Sequence, residues 1–292
     1  MAHAFLPKCF TYLIFAAHEL VTPGPEPILV TGTHAGKSDV EHVPLWPVAS
    51  NRMAARVDRF DHAVIVVRDL DAAMTAYRDM GFEVAPGGKH TGRGTHNAII
   101  RFGLDYIELL AIYDADEERA QGGDLSSFLE RDGGGLLAFA VATSQIDEIA
   151  AGWSSDFAPV GAPEPMERVR PDGYRLSWRL LIPGGSPWGK PWPFVIQWDN
   201  PDAERLDRDK PGTHANGATG VARVTVAAKS IDRLLPLYAS DLGLTVDSHS
   251  RDEAVLELGR AQVRLVTGDA ERPVQIDLTT ATGITPLRPP AV

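Results

Sequence analysis

Two hydrophobic periods alternate along residues 60–112. A nearly continuous apolar run, HAVIVV at 62–67, predicts a buried strand. The segment DLDAAMTAYRDMG at 69–81 has apolar residues at helical spacing, with Asp69 placed to cap its start and Gly81 to end it. The segments FEVA, THNAIIRFG and DYIELLAIY then predict three more strands, the first two separated by a Gly-rich loop. The order is strand, helix and three strands, written βαβββ.

The same order returns twice further along the chain. Residues 221–268 repeat it with ARVTVAA, SIDRLLPLYASDLG and three short strand segments. A more divergent middle copy, 135–200, includes a predicted hairpin that turns at 171–173. One such unit cannot cover both faces of its own sheet. We therefore predict an α+β fold in which two βαβββ units pair into a curved sheet that forms a cleft, with the third unit appended.

The domain boundaries follow from these repeats. Residues 1–55 show no sustained period of 2 or 3.6 and are interrupted by Pro and Gly, which predicts a disordered or non-native extension. Residues 1–52 would be absent if translation starts at Met53. The remaining predicted segments are a paired domain at 56–200 with units at 59–113 and 135–200, a polar linker at 201–218, and the third unit at 219–292.

Composition narrows the classes of partner. A formal net charge of −11 argues against nucleic-acid binding, which needs clustered Lys and Arg. The sequence contains no apolar run of about 18 residues, so we expect no transmembrane helix. With Cys9 as the single cysteine, a disulfide framework within one chain is impossible, which fits the cytoplasm. A weakly signal-like start, KCFTYLIFAAHELV, leaves secretion open. The expected partner is a small molecule, and a homodimer is compatible with the appended unit.

The segment DHAVIVVRDLDAAMTAYRDMGFEV followed by YIELL resembles the vicinal oxygen chelate superfamily of glyoxalase I, extradiol dioxygenases and bleomycin-resistance proteins. GGKHTGRGTHNAIIRFGLDYIELLAIYD, RPDG and FVIQWD are similar to its glyoxalase-like branch, over residues 59–200. The resemblance implies a cleft in which the first and fourth strands of each unit send side chains toward one metal.

On this resemblance, the ligand positions of the first unit are His62 and Glu108, and the fourth-strand position of the second is Gln197. The first-strand position of the second unit is Leu136 or Ala138, neither of which binds a metal. These residues predict one divalent ion (Zn, Ni, Fe or Mn) or none.

The third unit has arginines at the corresponding positions, Arg223 and Arg264, which cannot ligate a cation. If both face inward, they need acidic partners or an anion.

The same residues also suggest chemistry without a metal. Glu108 would act as a general base beside a carbonyl group, and His62 or His96 would polarise a substrate oxygen. His96 is also a candidate third nitrogen ligand, or a strand-end histidine that bonds to a loop. A buried His62–Glu108 pair without any ligand is a further alternative.

Two more segments bear on substrate binding. Trp178, Trp198 and Arg179 belong to a Trp-rich segment that suits either a cleft for a planar ligand or plain core packing. The loop GGKHTGRG at 87–94 is interpreted as a solvated hairpin in preference to an anion cradle. The resulting hypothesis is an isomerase, lyase or dioxygenase with a His–Glu centre. Its rival is a metal-free protein that sequesters a small molecule, as bleomycin-resistance proteins do.

Overall fold

The computed structural model describes residues 56–120, 124–170 and 172–290. Within these residues, eight strands form one curved sheet and six strands form a second sheet. The predicted α+β fold of repeated βαβββ units is confirmed. The predicted N-terminal extension, 1–55, lies outside the described residues.

The first unit follows the predicted order. Its elements are β1 (Arg59–Val66), α1 (Leu70–Asp79), β2 (Ala85–Lys89), β3 (Thr95–Arg101) and β4 (Tyr106–Ile112). Asp69 caps α1 by accepting a hydrogen bond from the Ala72 amide at 3.0 Å. Gly81 follows the helix with a φ of +86°, a conformation that favours glycine.

Two short helices lead into the second unit, which pairs with the first. These elements are α2 (Ala115–Ala120), α3 (Leu125–Asp132), β5 (Gly135–Ala142), α4 (Ile146–Gly152), β6 (Glu164–Val169), β7 (Arg175–Leu181) and β8 (Phe194–Trp198). The strand order of the first sheet is β2-β3-β4-β1-β5-β8-β7-β6. The first strands of the two units lie antiparallel at its centre, and each runs parallel to the fourth strand of its own unit.

The predicted linker contains a helix, α5 (Asp202–Arg208), and leads into the second sheet. The elements that follow are β9 (Ala218–Ala228), α6 (Ile231–Pro236), a π-helical turn (Leu237–Asp241), β10 (Thr245–His249), β11 (Glu253–Leu258), β12 (Ala261–Thr267), β13 (Arg272–Thr280) and β14 (Gly283–Pro286). The strand β13 lies antiparallel to β9, as β5 does to β1. The appended unit thus obtains its sheet partner from its own C-terminal hairpin.

One apolar core joins the two sheets. Ile65 of β1, Tyr77 of α1 and Val224 of β9 belong to it and are almost fully buried. Polar contacts also cross between the sheets, since Asp105 accepts a hydrogen bond from the Val221 amide at 3.0 Å. The second sheet therefore covers one face of the first sheet. The opposite face, which carries His62 and Glu108, is here called the inner face.

The arginines of the third unit find acidic partners within that unit. Arg264 donates two hydrogen bonds to the carboxylate of Glu253, at 2.9 and 3.1 Å. Arg223 lies 3.9 Å from a carboxylate oxygen of Asp277. Both arginines are thus neutralised locally and have no role in the inner face of the first sheet.

The contact between the second and third units gives a stability prediction. The buried carboxylate of Asp241 accepts hydrogen bonds from the Ser154 amide at 2.9 Å, the Ser154 hydroxyl at 2.7 Å and the Ser155 hydroxyl. Asp241→Ala leaves these donors without their acceptor, so we expect the free energy of unfolding to fall by about 3 kcal/mol in urea denaturation. Asp252→Ala, at an exposed position, is the control and should cost less than about 0.5 kcal/mol. Equal losses in the two variants would contradict this assignment.

Candidate active site on the inner face

A β-bulge in β1 places two neighbouring side chains on the inner face. His62 pairs with Ala140 of β5 and Phe60 pairs with Val141, so Asp61 has no partner on β5. Such a bulge interrupts the strict alternation of side chains along a strand. The Asp61 carboxylate accordingly accepts a hydrogen bond from Nε1 of Trp198 at 3.0 Å, while His62 also faces the cavity that Trp198 lines.

His62 is fixed by Asp61 and by an aromatic neighbour. Its Nδ1 lies 2.8 Å from Oδ1 of Asp61, so Nδ1 donates a hydrogen bond to this carboxylate. Its ring stacks on Tyr106 with the ring centres 4.6 Å apart. The Nε2 atom is thereby directed toward Glu108, whose Oε2 lies 3.6 Å away.

Asp61 stays ionised although no part of it is exposed. Complete burial raises the pKa of this carboxyl, but the hydrogen bond and charge of His62, together with Arg205 and Arg59, outweigh burial and lower it below its ordinary value. The ionised Asp61 keeps the His62 proton on Nδ1. This is the usual way in which a carboxylate orients a functional histidine.

Glu108 is held through one of its two carboxylate oxygens. Its Oε1 accepts a hydrogen bond from the amide nitrogen of Asn97 at 2.6 Å. The amide oxygen of Asn97 in turn accepts from Arg168 at 3.0 Å, and this fixes the orientation of the amide because arginine only donates. Among the described residues, Oε2 of Glu108 has no hydrogen-bond partner. This oxygen is therefore available to a molecule in the cavity.

His90 completes the polar cluster. Its Nδ1 contacts the Thr95 hydroxyl at 2.9 Å, and its Nε2 lies 3.2 Å from the Asn97 amide nitrogen and 3.6 Å from Oε1 of Glu108. Burial lowers the pKa of His90, the charge of Glu108 opposes this, and Arg168, His62 and Arg93 lower it further. A neutral ring with its proton on Nδ1 satisfies both contacts, since Nε2 then accepts from Asn97.

The polar cluster lines one end of a cavity of about 360 Å³. The cations Arg93 and Arg168 and the carboxylates of Glu118 and Glu164 also line it. The rest of the wall is largely apolar and aromatic and comprises Leu110, Leu125, Met166, Trp178, Leu180, Ile182, Trp188, Phe194, Ile196 and Trp198. This combination suits a small molecule with an apolar body and a polar group.

Four residues predicted as site or wall residues line this cavity, namely His62, Glu108, Trp178 and Trp198. Arg179 does not line it, because its side chain is paired with Asp147 of α4 at 2.8 Å.

Gln197 is predicted as a ligand that faces the cavity, and this prediction is wrong because the neighbouring residue, Ile196, faces inward. The amide oxygen of Gln197 accepts a hydrogen bond from the Ile146 amide at the start of α4, on the face away from the cavity. In the register of β5 with β8, Ile196 lies opposite Ala142, as Glu108 lies opposite Val64 in the first unit. The inward residue of β8 at this level is therefore the aliphatic Ile196.

Of the alternatives for His96, the structure does not support a ligand or a polarising group in the cavity. Thr95 and Asn97 line the cavity, so His96 between them points to the other side of β3, where its ring contacts Tyr113. The two alternatives for the first-strand position of the second unit, Leu136 and Ala138, lie on opposite faces of the sheet. A second bulge, opposite Val64 and Ile65, places Leu136 in the core between the sheets and Ala138 on the inner face.

Asp61, His90, Asn97 and Arg168 belong to the site and are not predicted from the sequence. His90 and Arg93 belong to the loop for which the sequence predicts a solvated hairpin, yet both line the cavity. Asn97 could have been found from the strand pattern. It is a polar residue in a predicted strand, and it shares a face with the buried Ile99, whereas Ala98 lies on the other face. Asp61 depends on a bulge, and Arg168 comes from a hairpin distant in sequence.

The donor set does not fit the four-ligand metal site that the resemblance implies. His62 and Glu108 are in place, but the inner face of the second unit offers Ala140 opposite His62 and Ile196 on β8. Neither side chain has a donor atom. In the described parts of the chain, no group of three or more His, Cys, Asp or Glu is arranged to hold a metal ion.

A model of the family described as "Glyoxalase-like domain" matches residues 60–242, which is more than half of the chain. The chain belongs to this family. The superfamily resemblance seen in the sequence is thereby confirmed. No curated protein matches the chain. None of the described helices is long and apolar enough to cross a membrane.

Three solved structures are similar to this chain at low sequence identity, and the first of them shares its fold. A hypothetical protein from Staphylococcus aureus has a TM-score of 0.61 and 18% identity, over 79% of this chain and 99% of that one. A methylmalonyl-CoA epimerase from Mycobacterium tuberculosis has a TM-score of 0.37 and 19% identity, over 52% and 95% of the two chains. A fusion of a xylose isomerase-like TIM barrel with 4-hydroxyphenylpyruvate dioxygenase has a TM-score of 0.44 and 15% identity, over 77% and 35%.

The state of His90 gives a prediction for the dependence of stability on pH. Its pKa is lowered in the folded protein, so below about 6.5 the unfolded chain takes up a proton that the folded chain does not. The free energy of unfolding therefore falls as the pH drops through this value. We expect a smaller fall in His90→Gln than in the wild type when urea denaturation at pH of about 7.5 and about 5.5 is compared. An unchanged difference between the two pH values would contradict a neutral, buried His90.

Proposed function

We propose that this glyoxalase-like protein is an enzyme that moves a proton at a carbon atom next to a carbonyl group, without a metal. The observation that carries the proposal is the carboxylate of Glu108. Its Oε1 is held by Asn97 at 2.6 Å, whereas Oε2 faces the cavity and has no hydrogen-bond partner among the described residues. A general base needs this combination of a fixed position and an available lone pair.

The proposed step is balanced by residues of the same cavity. Oε2 of Glu108 takes the proton from the carbon, and the electron pair of the broken C–H bond moves to the carbonyl oxygen as an enolate. Arg168 and Arg93 line the cavity and supply positive charge for that oxygen. Return of the proton from Glu108 to the same or a neighbouring carbon gives an isomerised product. His62, oriented by Asp61, offers a second hydrogen-bonding group at Nε2.

The aromatic wall indicates the kind of substrate. Trp178 and Trp198 lie with ring centres 5.2 Å apart, and Trp188 and Phe194 line the same cavity. Such walls bind planar or apolar bodies and exclude water from the reacting end. We infer an aromatic or apolar ketone, 2-oxo acid or thioester as the substrate class.

The second candidate function is sequestration of a small apolar molecule. The same aromatic wall favours it, because tight binding needs only apolar area and a few polar contacts. The two functions differ in their requirement for Glu108. Sequestration has no need of a base whose second oxygen is available, whereas proton transfer fails without one.

Hydrogen–deuterium exchange separates the two functions. Aryl ketones, aryl 2-oxo acids and acyl thioesters are incubated with the protein in D₂O, and loss of the proton signal next to the carbonyl is followed by NMR. We expect exchange above the buffer rate for at least one class. Glu108→Gln should reduce that rate at least about 100-fold while tryptophan fluorescence still reports binding.

Glu148→Gln is the matched control, since it makes the same chemical change at an exposed position on α4. It should exchange at the wild-type rate. Unchanged exchange in Glu108→Gln would refute the role of this residue as the base. Binding without exchange in all classes would favour sequestration.

A further inference from the structure

A second, smaller cavity lies beside the proposed active site. Its volume is about 210 Å³, and it extends along the same strand as Asn97, past Ile99 to Arg101. Its charged lining consists of five cations and two carboxylates, namely Arg101, Arg168, Arg170, Arg208, Lys210, Glu83 and Asp209. This positive surplus stands out because the whole chain carries a formal net charge of −11.

The carboxylates around this cavity are fewer than its cations by one, counting Asp172, 3.2 Å from Arg170, and Glu204, 3.5 Å from Arg208, with the two in the lining. Asp209 is shared, since Arg170 donates a hydrogen bond to its Oδ1 and Arg101 lies 3.6 Å from its Oδ2. The carboxylate of Glu83 accepts a hydrogen bond from the Thr213 amide at 2.8 Å. Arg168 is 7% exposed, and its Nε is buried without a hydrogen-bond partner in the described part of the chain.

Arg101 is a partly buried member of this cation cluster. Burial lowers the pKa of this guanidinium, Asp209 and Tyr106 oppose the shift, and the nearby Arg205 and Arg168 lower it further. A bound anion would offset the mutual repulsion of these cations.

We propose that this second cavity binds a phosphate group. Several arginines around one pocket favour a dianion with several acceptor oxygens, because each guanidinium offers a planar set of donors. The binding does not depend on the reaction proposed for the main cavity.

Two arginines connect the second cavity to that reaction site. Arg168 lines both cavities and holds Asn97, which holds Glu108. Arg101 lies over the ring of Tyr106, 5.1 Å from its centre, and the other neighbour of this ring is His62. Two sources of the phosphate are compatible with this placement. It is either free inorganic phosphate or the phosphoryl group of a molecule whose apolar part occupies the main cavity.

Isothermal titration calorimetry of the full chain tests the proposal. Inorganic phosphate is titrated at constant ionic strength in a chloride buffer. We expect one saturable site per chain, weakened about tenfold by Arg170→Gln and by Lys210→Gln. Lys210 is exposed, so its variant tests the charge even if loss of the Arg170–Asp209 pair disturbs folding. The control is Arg251→Gln, which changes an exposed arginine in the turn between β10 and β11 and should bind like the wild type.

Phenyl phosphate distinguishes the two sources. Tighter binding than inorganic phosphate, with the gain lost in Trp188→Ala, would support a phosphoryl group attached to the molecule in the main cavity. Equal affinity for both compounds would support a site for the free anion. The absence of saturable binding of either compound would overturn the proposal. So would equal affinity of all four proteins, because the anion would then bind elsewhere.

Discussion

Two carboxylates, Asp61 and Glu108, lie on the inner face among apolar side chains, and each must be paired because an unpaired buried charge costs several kcal/mol. Their partners come from both units. Asp61 is bound by His62 and by Trp198 of the second unit. Glu108 is bound by Asn97, which is held by Arg168 of the second unit. The site is therefore complete only when the two βαβββ units are paired.

The two units contribute different side chains to the site. The first unit supplies the groups that we propose to react, His62 and Glu108. The second unit supplies most of the aromatic wall and the cation of Arg168. Ala140 and Ile196 at the central inner positions leave room for a ligand and give it no donor. The third unit and its hairpin cover the opposite face of the first sheet and complete the shared core. The polar residues of the inner face thus take no part in the packing between the two sheets.

The order of elements could be predicted from the sequence because each unit repeats the same change from strand to helix periodicity. His62 and Glu108 could be placed because superfamily resemblance fixes their strands. Side-chain direction could not be predicted where a bulge intervenes, since a shift of one residue moves a side chain to the opposite face. Gln197 fails for this reason, and Asp61 joins the site through the same effect. Arg168 required knowledge of how the β6–β7 hairpin folds over β3, which no local pattern contains.

Burying the polar network costs desolvation free energy, and this cost bears on its function. Apolar side chains of similar volume would fill the inner face at equal or greater stability, because buried ion pairs rarely repay their desolvation. A protein that only sequestered an apolar molecule would need few of these groups. Here one oxygen of Glu108 is restrained by Asn97 while the other is left to the cavity, beside a histidine whose tautomer is set by Asp61. Such a network restrains one oxygen of this carboxylate more than folding requires. This supports the proposal that Glu108 acts as a base over the rival proposal of sequestration.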